Sequence, residues 1–322
     1  MPNALLAYLS TCLLATYLLA YLFTPSLSTC ILVSMSTLPS SIAIVGLGLM
    51  GGSLALALKE KNAPPKIIGI TRTRATLDAA LERGAIDVAS DQLDAARDAE
   101  LVVLAAPVRT ILKQIPQLAT IARDGALVID MGSTKRAIVD AMNRLPERLS
   151  AVGGHPMCGK EVAGFEHAEA NLYQNKIFVL AKTERTTPAA LDMARALART
   201  IGSRIVELDA ARHDEIVASV SHLPYIVAAN LVNTVSAFAQ EDAQVWNIAA
   251  SGFRDTSRLA ASDVQMMLDI LLTNGENVAA LMRQYARLFG ALADAVYDAD
   301  EKTLRELLGR AASKRQEWQK LS

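Results

Sequence analysis

The sequence predicts an α/β protein: a doubly wound, mostly parallel sheet followed by an all-helical second domain. Three observations carry that reading. Short apolar runs alternate with helical stretches between residues 41 and 208. A G-x-G-x-x-G pattern joins the first apolar run to the first helix. From residue 209 onward the strand signals stop and long helical periods replace them. Repeated β–α units imply parallel strands with helices on both faces and ligands at the carboxyl ends.

The elements follow in order. Ile42–Val45 reads as a short buried strand that turns at Gly46, Gly48 and Gly51 and enters an apolar helix. The first glycine allows the tight turn, the second lets backbone approach a pyrophosphate, and the third lets helix and strand pack closely. Leu49 and Met50 open the helix, whose free N–H groups and dipole favour negative charge. The segment is therefore assigned to dinucleotide binding. "KIIGIT" is the second strand, followed by a helix over residues 75–83 that ends at Gly84. A weak strand lies near Asp87. Residues 101–107, 126–133, 149–156, 176–181 and 203–208 supply the remaining strands. Ser133 and His155 fall at carboxyl ends of two of them.

The cofactor is expected to be NADP, with NAD as the second choice. An acid about 20 residues beyond the glycines would hold an NAD ribose, but Thr71 stands there, followed by Arg72 and Arg74. Guanidinium groups pair with a 2′-phosphate, which an acid would repel.

The domains are expected at 35–208 and 209–322, after a hydrophobic leader over 1–34. In the helical domain, "HDEIVASVSHLPYIVAANLVNTVSAF" predicts a long helix bent near Pro224. Val278, Leu281, Met282, Tyr285, Leu288, Phe289 and Leu292 recur at helical spacing and form a core or a subunit interface. A homodimer through this domain is expected. Residues 5–23 of the leader carry no charge and are long enough to cross a bilayer, which takes roughly 20 apolar residues. They read either as translated sequence upstream of a start at Met35 or as a membrane anchor or uncleaved signal; membrane association would follow only if they are retained.

Composition excludes several classes. A hydrophobic content of 52%, with 20% charged residues, describes a folded chain. A formal net charge of −1, with no long basic run, argues against nucleic-acid binding. Cys12, Cys30 and Cys158 form no disulfide framework, which fits a reducing, cytoplasmic setting. A small-molecule substrate is the expected partner.

In "GGHPMCGKEVAG", His155 sits among glycines and a proline with no apolar period around it. Oxidising an alcohol removes a hydride from carbon and a proton from oxygen, and an imidazole suits the second task. The neighbouring glycines would leave room for a ring-shaped ligand. No metal is expected, because Cys158 and His167 match no usual ligand spacing.

Taken together, "GLGLMGGSLA", "DMGSTK", "GGHPMCG", "SHLP" and "SGFRDTSRLA", in that order, resemble the prephenate and arogenate dehydrogenases of tyrosine biosynthesis. The resemblance runs from about residue 41 to the end and is nearest to the NADP-using arogenate dehydrogenases of cyanobacterial type. It implies oxidative decarboxylation of a cyclohexadienol, with His155 as proton acceptor and Ser133 as the partner that orients it beside the nicotinamide. It makes Arg258 the group that grips the ring carboxylate and places Ser221 and His222 at the substrate. Arg254 is left as an ion-pair residue of Asp255 or Asp263. Tyr225 stands where several prephenate-specific members carry a second histidine, Met267 where some carry tryptophan, and Cys158 where a small residue is common; that thiol is read as inert, although His155 nearby could raise its reactivity.

Two other readings remain. A β-hydroxyacid-type dehydrogenase would use a lysine on the first helix after the sheet, and residues 209–240 contain none. A non-catalytic dinucleotide sensor would need neither His155 nor Arg258.

Overall fold

The computed structural model describes residues 38–160, 162–242 and 244–320. The leader expected at 1–34 lies outside them. Eight strands form one sheet: β1 (Ser41–Val45), β2 (Lys66–Ile70), β3 (Val88–Ser90), β4 (Leu101–Leu104), β5 (Leu127–Asp130), β6 (Ser150–Pro156), β7 (Ile177–Lys182) and β8 (Arg204–Glu207). Their order is β3-β2-β1-β4-β5-β6-β7-β8. Every neighbouring pair is parallel except β6–β7, which is antiparallel.

The central strands read as unbroken apolar runs because both faces are covered. Ile42, Ile44, Leu101, Val103, Leu127 and Ile129 point to one face, where they meet α1 (Leu49–Lys59), α2 (Arg74–Glu82) and α5 (Pro188–Thr200). The alternate residues Ala43, Val45, Val102, Leu104 and Val128 point to the other, where they meet α3 (Val108–Ile121) and α4 (Arg136–Met142). This is the period of two expected of strands, and it yields the doubly wound arrangement predicted from the sequence.

The helical part comprises α6 (Ala210–Val217), α7 (Leu223–Ala239), α8 (Gln244–Ile248), α9 (Ser251–Ser257), α10 (Val264–Thr273), α11 (Gly275–Tyr297) and α12 (Glu301–Gln319). The bend expected at Pro224 takes a different form. Ala218–His222 is a π-helical segment between α6 and α7, and Pro224 lies in the first turn of α7. The wider π turn absorbs the backbone that the proline ring would otherwise strike. Ala210–Ala239 is long and apolar enough to span a membrane by length and composition, yet its first two turns carry buried polar side chains that bond to the sheet domain.

Two such carboxylates join the halves. Asp214 of α6 accepts the backbone N–H groups of Lys135 (2.7 Å) and Arg136 (2.9 Å) at the start of α4. Asp269 of α10 accepts the N–H of Arg109 (3.1 Å) at the start of α3. Each satisfies amides that a helix terminus leaves without an internal partner.

Candidate active site

The glycine loop has distinct requirements at each position. Gly46 has φ +101°, and a Cβ there would lie 2.5 Å from the Ala105 carbonyl oxygen. A Cβ on Gly51 would lie 1.9 Å from the Gly46 oxygen. These two glycines serve the protein's own packing. Gly48 is different: nothing lies within 4 Å of its would-be Cβ. No side chain caps the first turn of α1, where Leu49 is buried and the Met50 carbonyl accepts the Tyr173 hydroxyl at 2.5 Å. A cleft of about 860 Å3 opens here, between the carboxyl ends of β1 and β4, where the winding reverses. Gly48, Thr71 and Arg72 line it, as do Asp91, Arg109 and Asp269. An open glycine beside an uncapped helix start fits a pyrophosphate. Arg74 is elsewhere: it pairs with Asp78 at 2.9 Å on the exposed surface of α2.

His155 lies on the part of β6 that outruns β5. The β5–β6 ladder stops at Val152, so Gly153–Pro156 pairs only with β7. A Cβ on Gly154 would sit 2.4 Å from the Asp130 backbone oxygen. That glycine therefore makes room for the neighbouring strand, not for a ligand as its sequence context suggests. Its N–H donates to Asp130 Oδ1 at 2.9 Å, while Asp130 Oδ2 accepts the Gly132 N–H at 2.7 Å and pairs with Lys135. Both Asp130 and Lys135 are fully buried. Together they tie the loop bearing Ser133 to the strand bearing His155.

The orienting partner of His155 is a second histidine. His155 Nδ1 lies 2.8 Å from His213 Nε2, and His213 Nδ1 lies 2.8 Å from Asp214 Oδ1. No hydrogen bond joins Ser133 to His155; the imidazole is bonded to His213 instead. The chemistry of the chain sets its tautomers. A carboxylate only accepts, so His213 donates through Nδ1 and presents a lone pair at Nε2. His155 must then donate through Nδ1, which leaves its own Nε2 as a proton acceptor.

Electrostatics agree with that assignment. Burial, then the nearby His213, Lys135 and His222, hold His155 well below the ordinary imidazole range, so the ring is neutral. Burial pushes the Asp214 carboxyl up, but hydrogen bonds from His213 and the amides of Arg136 and Lys135 outweigh it and keep it ionised. Burial lowers the Lys135 ammonium, with Asp130 opposing.

The other residues expected at the site occupy several elements. His222 is buried on the π segment, its Nδ1 3.3 Å from Asn274 Nδ2; burial lowers its pKa to about 4. Ser221 beside it is exposed, and Tyr225 is half-buried on the first turn of α7. Arg258 is exposed on the 3-10 turn Arg258–Ala261, which packs against α7. Arg254 pairs with Asp255 at 3.4 Å. Burial pushes the Cys158 thiol up to about 11, in keeping with the inert side chain expected.

Sequence reasoning passed over His213, Asp214, Lys135, Asp130 and Asn274. "ARHDEI" looks like a solvated helix start, with charge on every side of the histidine. The available signal was the adjacent His–Asp pair in the first turn of the first helix after the last strand.

Known proteins agree with this architecture. A family model for the nucleotide-binding domain of prephenate dehydrogenase matches residues 54–207, and one for its dimerization domain matches residues 209–310. The prephenate dehydrogenase of Bacillus subtilis (strain 168) is 34% identical over 273 residues, 84% of this chain and 74% of that protein. The crystal structure of Aquifex aeolicus prephenate dehydrogenase in complex with hydroxyphenyl propionate and NAD+ superposes with a TM-score of 0.81 at 31% identity, covering 86% of this chain and 98% of that one. Synechocystis arogenate dehydrogenase does so with a TM-score of 0.73 at 30% identity, covering 86% and 99%. With both domains matched in order, the chain belongs to the prephenate dehydrogenase family.

Proposed function

We propose that the chain catalyses the oxidative decarboxylation of arogenate, prephenate or both, the step that makes the aromatic ring in tyrosine biosynthesis. One observation carries the reading: the neutral imidazole of His155, with Nδ1 tied to His213 and Nε2 left as an acceptor. His155 Nε2 takes the proton of the ring hydroxyl as the carbon–oxygen double bond forms. A nicotinamide held at the glycine loop would supply the acceptor for the hydride that leaves that same carbon. The bond to the ring carboxylate then breaks, its electron pair enters the ring, CO2 leaves, and the ring oxygen regains a proton from His155. Ser133, on the loop after β5, would stand beside the nicotinamide. Arg258 supplies the guanidinium fork for the ring carboxylate, and Ser221, His222 and Tyr225 face the rest of the substrate. A phenol at 225 bonds an amine or a keto acid without adding charge.

Thr71 and Arg72 in the cleft wall, with Arg74 close in sequence, favour NADP. Asp91, in the same wall, supports NAD as the second reading, since a carboxylate holds a ribose hydroxyl. The exposed face of α11 supports a homodimer. The family match over both domains disfavours the β-hydroxyacid and non-catalytic readings. The test is to assay the purified chain with both substrates and both cofactors, alongside His155→Ala. Turnover should fall about 10²–10⁴-fold in the variant with cofactor affinity kept. Absence of turnover on both substrates in the wild type would end the reading.

A further inference from the structure

Asn274, at the junction of α10 and α11, is buried, and the proposed chemistry makes no use of it. Its Nδ2 donates to the backbone oxygen of Asp214 at 2.7 Å and lies 3.3 Å from His222 Nδ1. Its Oδ1 accepts from Asn277 Nδ2 at 2.8 Å. A peptide oxygen only accepts, so the amide atom facing Asp214 must be nitrogen, and its orientation follows from chemistry. An amide N–H directed at an imidazole nitrogen requires a lone pair there. A neutral His222 therefore carries its hydrogen on Nε2. The adjacent Thr273 places its Oγ1 2.8 Å from Thr134 Oγ1, which pins the same junction to the loop that carries Ser133.

We propose that Asn274 is a positioning residue that locks His222 in the Nε2–H form, so that the substrate meets one fixed neutral donor on the π segment. The inference rests on the cyclohexadienol reading for its substrate. A ring hydroxyl that gives its proton to His155 keeps two lone pairs, and an Nε2–H group is a fixed partner for one of them. An acid at position 274 would accept instead of donate and would reverse the tautomer.

The experiment is long-range 1H–15N spectroscopy on the full chain with NADP bound and its histidines 15N-labelled, with His222 assigned through His222→Gln. The wild type should show His222 as Nε2–H. Asn274→Asp should convert it to Nδ1–H and Asn274→Ala should give a mixture, with the His155 and His213 signals unmoved. Asn274→Ala should also lower kcat/KM about 10-fold, the loss expected of one buried hydrogen bond. An Nδ1–H signal in the wild type overturns the proposal, and so does an Nε2–H signal that persists in both variants. If neither variant folds, the wild-type spectrum still decides. If the tautomers behave as expected while neither substrate turns over, the substrate reading fails and the positioning role stands.

Discussion

In the proposed chemistry, His155 becomes a defined base only through its neighbours. An isolated imidazole on a strand end would sample two tautomers and titrate near pH 6.5. Asp214 removes the first freedom by relay through His213, at 2.8 Å per link. Burial, the largest cause, removes the second. His213→Ala should therefore lower kcat about 10²-fold with KM nearly unchanged, because the ring it orients acts on the proton and not on substrate affinity. Added imidazole should restore part of the loss. A kcat unaffected by the substitution would remove His213 from this role.

At the scale of elements, the glycine loop separates what the fold needs from what the ligand needs. Gly48→Ala introduces a Cβ with nothing within 4 Å at φ −76° and ψ −156°, a conformation alanine adopts. Its melting temperature should match the wild type while dinucleotide affinity drops. Gly51→Ala drives a Cβ to 1.9 Å from a backbone oxygen and should lower the melting temperature as well as binding. Equal thermal stability of the two variants would mean that the loop is less tightly packed than its geometry requires. Such elements were legible in the sequence because their physics is local. Buried parallel strands are apolar runs, and a strand–glycine–helix junction announces itself; even the three-residue β3 leaves a trace near Asp87. The π segment was not legible, since Pro224 signals disruption but not its form. His213 was hidden for a similar reason. Its sequence neighbours are charged, and only the docking of α6 on the start of α4 reveals that it is buried.

Across the whole molecule, the base and the residues that set its tautomer sit on opposite sides of the seam between sheet and helices, so the catalytic geometry exists only when both halves are docked. That docking depends on pH. His222 titrates near 4 when folded and near 6.5 when unfolded. Between these values the unfolded chain binds a proton that the folded chain does not, so stability is full above pH 6.5 and declines as pH falls, by about 1.4 kcal/mol per pH unit for each such histidine. His155 adds in the same direction. Calorimetry between pH 7 and 5 should show this slope, and His222→Gln should flatten it; an unchanged slope would mean that His222 does not contribute. The last inference concerns the outer helices. The stripe read as core or interface begins in a core position at Val278 and then emerges: Leu288 is 57% exposed and Phe289 60%, with Val296 at 62%. Phe238 on α7 and Ile248 on α8 are exposed as well. Soluble monomers rarely leave so many large apolar side chains open unless a partner covers them, and a closed two-fold pairing covers the same patch on both copies. Leu288→Glu with Phe289→Glu places two charges in that face, where desolvating them would cost several kcal/mol if it is buried between copies. Sedimentation should show a dimer for the wild type and a monomer for the double variant, with helical content by circular dichroism retained. A wild type that sediments as a monomer would leave the stripe to some other partner, and a variant that stays dimeric would move the interface elsewhere.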